Sequence, residues 1–187
     1  MRALALYLRS RQVPFALPGA VVAVLLMARL GAGATNPQLA VAAVVLAMAL
    51  GLAVLGYGLG GADPELERTA AVSWPPRRAA HLIAVTAVPA GVLALVSSAP
   101  PGIVLRAAVG LAGLTALAAT LFGRQLAWTL PVAWGVGASA MPPFTDPLPL
   151  RVLTWPAQPV GSTAALVTAC VLGGAGVLGY ALRGCRS

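Results

Sequence analysis

The chain has 187 residues, of which 59% are hydrophobic and 9% charged, whereas a soluble domain carries roughly a quarter charged residues. Too few polar side chains exist to cover a water-facing exterior, and the abundance of Leu, Val and Ala excludes a disordered chain that cannot bury apolar surface. The net charge of +8 does not indicate nucleic acid, because the basic residues fall in short clusters between long uncharged runs, the pattern of membrane topology signals. All twelve basic residues are arginine and none is lysine, a bias that fits a GC-rich genome.

In chain order, residues 1–11 mix Leu4, Leu6, Tyr7 and Leu8 with Arg2, Arg9 and Arg11. This suits either a short helix lying on the membrane face or an extension of the first span. A span needs about 20 mostly apolar residues, and six such segments are expected, at about 12–30, 39–59, 79–96, 102–122, 125–141 and 162–182. The apolar run 13–27 is at the long end for a signal peptide and is expected to be the first span instead. The fifth segment is the shortest. Pro89 and Pro131 should bend the third and fifth helices.

Arginine placement orients the bundle. Arg2, Arg9, Arg11, Arg68, Arg77, Arg78, Arg124, Arg183 and Arg186 share one side, against Arg29, Arg106 and Arg151 on the other. Arginines in short loops are retained on the cytoplasmic side, so both termini are expected inside. The fold class is thus an all-α integral membrane protein. It forms one six-helix domain over residues 1–187, in a bacterial cytoplasmic membrane.

The longest inner connection, 61–78, holds three of the four acids, Asp63, Glu65 and Glu67, then Arg68 and Trp74-Pro75-Pro76-Arg77-Arg78. Asp63-Pro64 can open a short helix, with acids in its first turn where the dipole favours them, and Trp74-Pro75-Pro76 would end it. The result is either a docking surface for a soluble partner or a solvated loop with interfacial anchors. On the outer side, residues 142–161 carry six prolines, Pro142, Pro143, Pro147, Pro149, Pro156 and Pro159. No single regular helix is compatible with them, and their apolar neighbours suggest a re-entrant or broken helix.

Arg106 lies one turn inside the fourth span. It either faces the bundle or a watery cavity, as intramembrane charges do, or snorkels to the headgroups. Trp128 and Trp155 are expected in interfacial belts on opposite sides, Trp134 deeper and able to line a cavity, and His81 at the interface. Gly110, Gly113, Gly173, Gly174, Gly176 and Gly179 would support close packing within the bundle or between copies. Cys170 and Cys185 are too far apart on one helix to pair, and no metal-ligand spacing occurs.

Several mechanisms have no residues to run on. No carboxylate lies in any of the six segments, which disfavours an ion-coupled pump. A Walker A loop needs the absent lysine, so no ATPase site is expected. One histidine excludes a paired-His haem, and nothing converges as a protease or lipid-modifying site would.

The run Leu66-Glu67-Arg68-Thr69-Ala70-Ala71 with Trp74-Pro75-Pro76-Arg77-Arg78-Ala79-Ala80-His81-Leu82 resembles the cytosolic loop of actinobacterial ABC-type transporter permeases. Similar too are Leu105-Arg106, Gly110-Leu111-Ala112-Gly113-Leu114, Gly123-Arg124-Gln125-Leu126-Ala127-Trp128 with Leu130-Pro131, and Thr154-Trp155-Pro156. One departure is Ala107, where the family pattern has Asn. The resemblance implies an interfacial helix before the first span, a coupling helix in 63–74 and re-entrant structure in 142–161. It further implies that Asp63, Glu65, Glu67, Arg68, Trp74, Arg77 and Arg78 meet a separate ATP-binding subunit, which holds the ATP and magnesium. Two permease copies or paralogues would enclose an apolar pathway that includes Arg106 and Trp134, exporting a hydrophobic or amphipathic compound by alternating access. The alternative expectation is a non-transporting membrane anchor, scaffold or receptor subunit using the same loop.

Overall fold

The computed structural model describes residues 13–60, 74–142 and 146–186. In chain order the elements are α1 (Val13–Ala32), α2 (Pro37–Gly56) continued by a 3₁₀ turn at Tyr57–Leu59, α3 (Trp74–Val96) and α4 (Pro101–Phe122). A 3₁₀ turn at Arg124–Leu126 leads into α5 (Thr129–Ala140), and α6 (Leu148–Leu153) with a 3₁₀ turn at Trp155–Ala157 precedes α7 (Thr163–Arg183). Among the described residues there is no strand.

Local chemistry sets most boundaries. Asn36 Oδ1 accepts the Gln38 N–H at 2.9 Å and Pro37 follows at the first helical position, so α2 opens with both standard devices. Ser162 caps α7 by accepting the Ala165 N–H at 3.4 Å. Helices α4 and α7 stop at Gly123 and Gly184, whose φ of 87° and 75° a side chain would strain.

Two expectations about proline-bearing segments are revised. Trp74-Pro75-Pro76 forms the first turn of α3, ahead of its expected start at 79, because first-turn amides have no intrahelical acceptor to lose; the helix expected before it lies outside the described residues. Pro131 falls in the first turn of α5, where for the same reason it bends nothing. Pro89, by contrast, lies inside α3 and packs on Gly51 of α2, which also receives Val24 of α1.

Five helices, α1 to α4 and α7, are long and apolar enough to cross a membrane. Their spans of 19 to 23 residues measure about 30 Å at ~1.5 Å per residue, the thickness of a hydrocarbon core. The expected fifth span, 125–141, is divided into a 3₁₀ turn and a 12-residue helix about 18 Å long. Their outward faces carry large apolar side chains, among them Leu26, Ile83, Leu95, Leu105, Val171 and Leu178. Such continuous exposed apolar surface suits contact with lipid.

Helix α4 is the axis of the bundle, 78% buried over its apolar window against 17% for α1. It runs parallel to α7: Val109 meets Gly173, Gly113 meets Gly176, and Leu117 approaches Gly179. The glycine seam is therefore consumed inside the chain. A side chain on Gly113 would strike the backbone of Leu172 and Gly173, whereas Gly174 faces open space. Helices α1 and α2 are antiparallel, Gly31 lying on Ala43 and Gly19 near Val54.

The main core holds Val24, Met48, Leu52, Leu93, Leu111 and Trp155. A smaller cluster of Leu59, Leu82, Ala116, Ala119, Ala127 and Tyr180 sits at the end where Arg124 lies on Gly60, Arg78 on Gly184, and Arg186 by Gly123. There the Tyr180 hydroxyl donates to the Leu59 carbonyl at 2.5 Å.

Replacing Gly113 by Leu should destabilise the purified protein by about 3 kcal/mol or more, because the obstacle is backbone that cannot repack. Gly174→Leu should leave stability near that of the parent, and thermal unfolding in detergent compares the two.

Candidate functional site

A guanidinium is an odd side chain for an apolar bundle, with five N–H donors and no acceptor. Arg106 of α4 is 3% exposed and points into the fold, which decides between the two orientations the sequence left open. Its donors find carbonyls in the segment before α7. Nη1 donates to Pro159 O at 2.9 Å, and Nη2 to Pro156 O at 3.3 Å and to Gln158 O.

The chemistry of that segment explains the match. Pro156 and Pro159 contribute carbonyls but no N–H, and the 3₁₀ turn at Trp155–Ala157 ends with carbonyls that lack a helical partner. A surplus of acceptors thus meets a surplus of donors. The carbonyl ends of a short helix also carry partial negative charge, which favours a cation.

Further bonds brace the segment from inside. Gln158 Nε2 donates to Thr154 Oγ1 at 2.8 Å, and Thr154 Oγ1 to Leu150 O at 2.8 Å. From α5, Trp134 Nε1 donates to Leu153 O at 2.9 Å. The Trp155 ring is fully buried and lies over Gly110, one turn beyond Arg106, where any side chain would overlap the indole. Among the described residues, Arg106 Nε and Trp155 Nε1 are buried donors without a hydrogen-bond acceptor.

The two residues expected on a pathway, Arg106 and Trp134, are therefore brought to one place, on opposite ends of residues 153–159. Trp155 is corrected from an interfacial belt to the core, and His81 from the interface to a buried position, 6% exposed, in the third helix. Thr154, Gln158 and Gly110 were missed as parts of the site. The available signal was a polar pair spaced four apart in an otherwise apolar, proline-rich stretch.

Of the expected coupling residues, Asp63, Glu65, Glu67 and Arg68 lie outside the described residues. Trp74, Arg77 and Arg78 belong to the first turn of α3. Trp74 is half-buried, Arg77 exposed, and the Arg78 guanidinium occupies the space beside Gly184. Neither Cys170 nor Cys185 is in a disulfide among the described residues, and the Cys185 thiol donates to Ala119 O at 3.3 Å. Among the described residues no cluster of His, Cys, Asp or Glu could hold a metal ion.

No known family model, curated protein or solved structure matches this chain. The fold by itself defines a class, a helical protein with five helices able to span a membrane and an arginine clasp at one end of its central helix.

Arg106→Met keeps the stem and removes all three bonds to the segment. Each stranded carbonyl costs about 1–3 kcal/mol, partly recovered as the segment moves. The amides of residues 154–158 should then exchange hydrogen roughly 30-fold faster, the equivalent of about 2 kcal/mol, while those of α2 stay protected. Hydrogen exchange read by mass spectrometry checks this.

Proposed function

We propose that the chain is the transmembrane subunit of an ABC-type exporter, moving a hydrophobic or amphipathic compound outward with energy from a separate ATP-binding subunit. The observation that carries this reading is the location of its acids. Three of four lie in 61–73, the connection that leaves Gly60 and returns at Trp74 on the arginine-rich end of the bundle, where a soluble ATPase would dock. The helices themselves are apolar, as a pathway for such a compound requires.

In this reading α5 and residues 146–161 together complete a sixth crossing. The parallel course of α4 and α7 supports it, since the chain must return to the far end between them. Both termini lie in the cytoplasm, and two subunits enclose the pathway. The clasp closes the outer side: Arg106 and Trp134 hold residues 153–159 against α4 until an inward movement of the ATPase shifts α4 and loosens the carbonyl bonds. Such a gate works by exchanging partners for a buried charge, so it has two stable positions and few between.

The test is purification of the tagged chain from its own membranes. An ATPase should co-elute with it and be lost with Glu65→Lys/Glu67→Lys, a variant that should melt like the parent because it changes no residue of the packed helices. If no ATPase follows the unmodified chain, the transporter reading fails and an anchoring or scaffold role takes its place.

A further inference from the structure

The arginine-rich end carries exposed side chains beyond the acids of the 61–73 connection. Contacts of Arg78 with Gly184, Arg186 with Gly123, and Arg124 with Gly60 draw the start of α3 and the ends of α2, α4 and α7 into one rim. Five arginines stand on it: Arg77, Arg78, Arg124, Arg183 and Arg186. Two are anchored in the fold. Arg78 packs on the end of α7, and Arg186 Nη1 donates to Leu121 O at 3.1 Å.

The other three have no carboxylate partner among the described residues. Arg77 and Arg183 are exposed and bond to nothing among the described residues. Arg124 is exposed and rests over the Tyr57 ring, 5.5 Å from its centroid. The rim has no Asp or Glu among the described residues, for Asp146 is at the opposite end.

The same rim exposes Tyr57, Phe122, Leu126, Trp128 and Leu182. Aromatic and apolar groups interleaved with arginines, level with the ends of helices that suit a bilayer, match a surface whose lower half meets acyl chains and whose upper half meets headgroups. Protein interfaces also collect aromatics and arginine, and what favours lipid is depth, because these side chains lie at the ends of helices as long as a hydrocarbon core is thick. The charge needs an anion held at the depth of the headgroups, and a lipid phosphate is held there.

We propose that this rim is a binding surface for anionic phospholipids, in which Arg77, Arg124 and Arg183 engage headgroup phosphates while Tyr57, Phe122 and Trp128 contact the adjoining glycerol and acyl region. The surface rests on membrane embedding alone and is independent of whether the chain transports anything. An anionic leaflet holds a nearby basic residue by roughly a factor of five, and salt weakens the hold.

The protein, reconstituted in phosphatidylcholine vesicles, is probed with spin-labelled phosphatidylglycerol and spin-labelled phosphatidylcholine, and the motionally restricted fractions give their relative association. Phosphatidylglycerol should be favoured severalfold, with the preference falling as salt is added. Arg77→Gln/Arg124→Gln/Arg183→Gln should bring the ratio close to one, while Arg29→Gln/Arg151→Gln, at the other end, should retain it. Should the triple variant not reconstitute, Arg77→Gln and Arg183→Gln singly carry the same test, as neither side chain holds the fold. A ratio of one in the parent protein, or an equal fall in both sets of variants, overturns the proposal. So does inorganic phosphate raising the melting temperature in detergent as much as phosphatidylglycerol does, which would make the rim a site for free anions. If the arginines are protected from chemical modification only by a co-purifying ATPase, the rim is a protein interface and the lipid proposal fails while the transporter reading stands.

Discussion

A polar group inside an apolar bundle must find its partner within the chain, because no water is there to supply one. That constraint organises this molecule. Threonines in the helices bond back to the carbonyl four residues earlier, as Thr115 does to Leu111 at 2.8 Å and Thr168 to Ala164 at 2.8 Å, and so need no neighbour. Arg106 has too many donors for such a local solution. It has to take acceptors from elsewhere, and the proline-rich segment before α7 is where spare acceptors exist. The clasp is thus a long-range polar contact that the apolar environment makes compulsory, and it fixes residues 156–159 against the central helix.

The close approach of α4 and α7 is tied to the same event. Gly113, Gly173 and Gly176 let the two backbones meet, the packing favoured where burial supplies little force between helices. Because α4 and α7 are parallel, the intervening chain must travel the length of the bundle and turn back. Helix α5 covers part of that distance, and the segment with α6 and Trp155 fills the rest, its indole set in the gap that Gly110 leaves. Small residues and a large aromatic ring are complementary parts of one interface.

At the opposite end the arrangement differs in kind. Arg77, Arg124, Arg183 and Arg186 lie at the surface there, with Tyr180 joining α7 to the end of α2. The clasp end buries Arg106, whereas no arginine of this rim is buried.

The sequence by itself determined the all-helical character, the positions of the five long helices to within about five residues, and the segregation of arginines, because apolar run length and loop charge are local properties of the chain. It also marked Arg106 and Trp134 as unusual. It could not determine that Trp155 is core, that Trp74-Pro75-Pro76 starts a helix, or that the glycines are spent within one chain, since each depends on which helix lies alongside. A proline reads the same at either terminus of a helix, and an arginine one turn inside a span reads the same whether it points outward or inward. Only the tertiary structure, by bringing residues 156–159 next to α4 across some fifty positions of sequence, decided that Arg106 turns in, because that is where carbonyls with spare lone pairs stand.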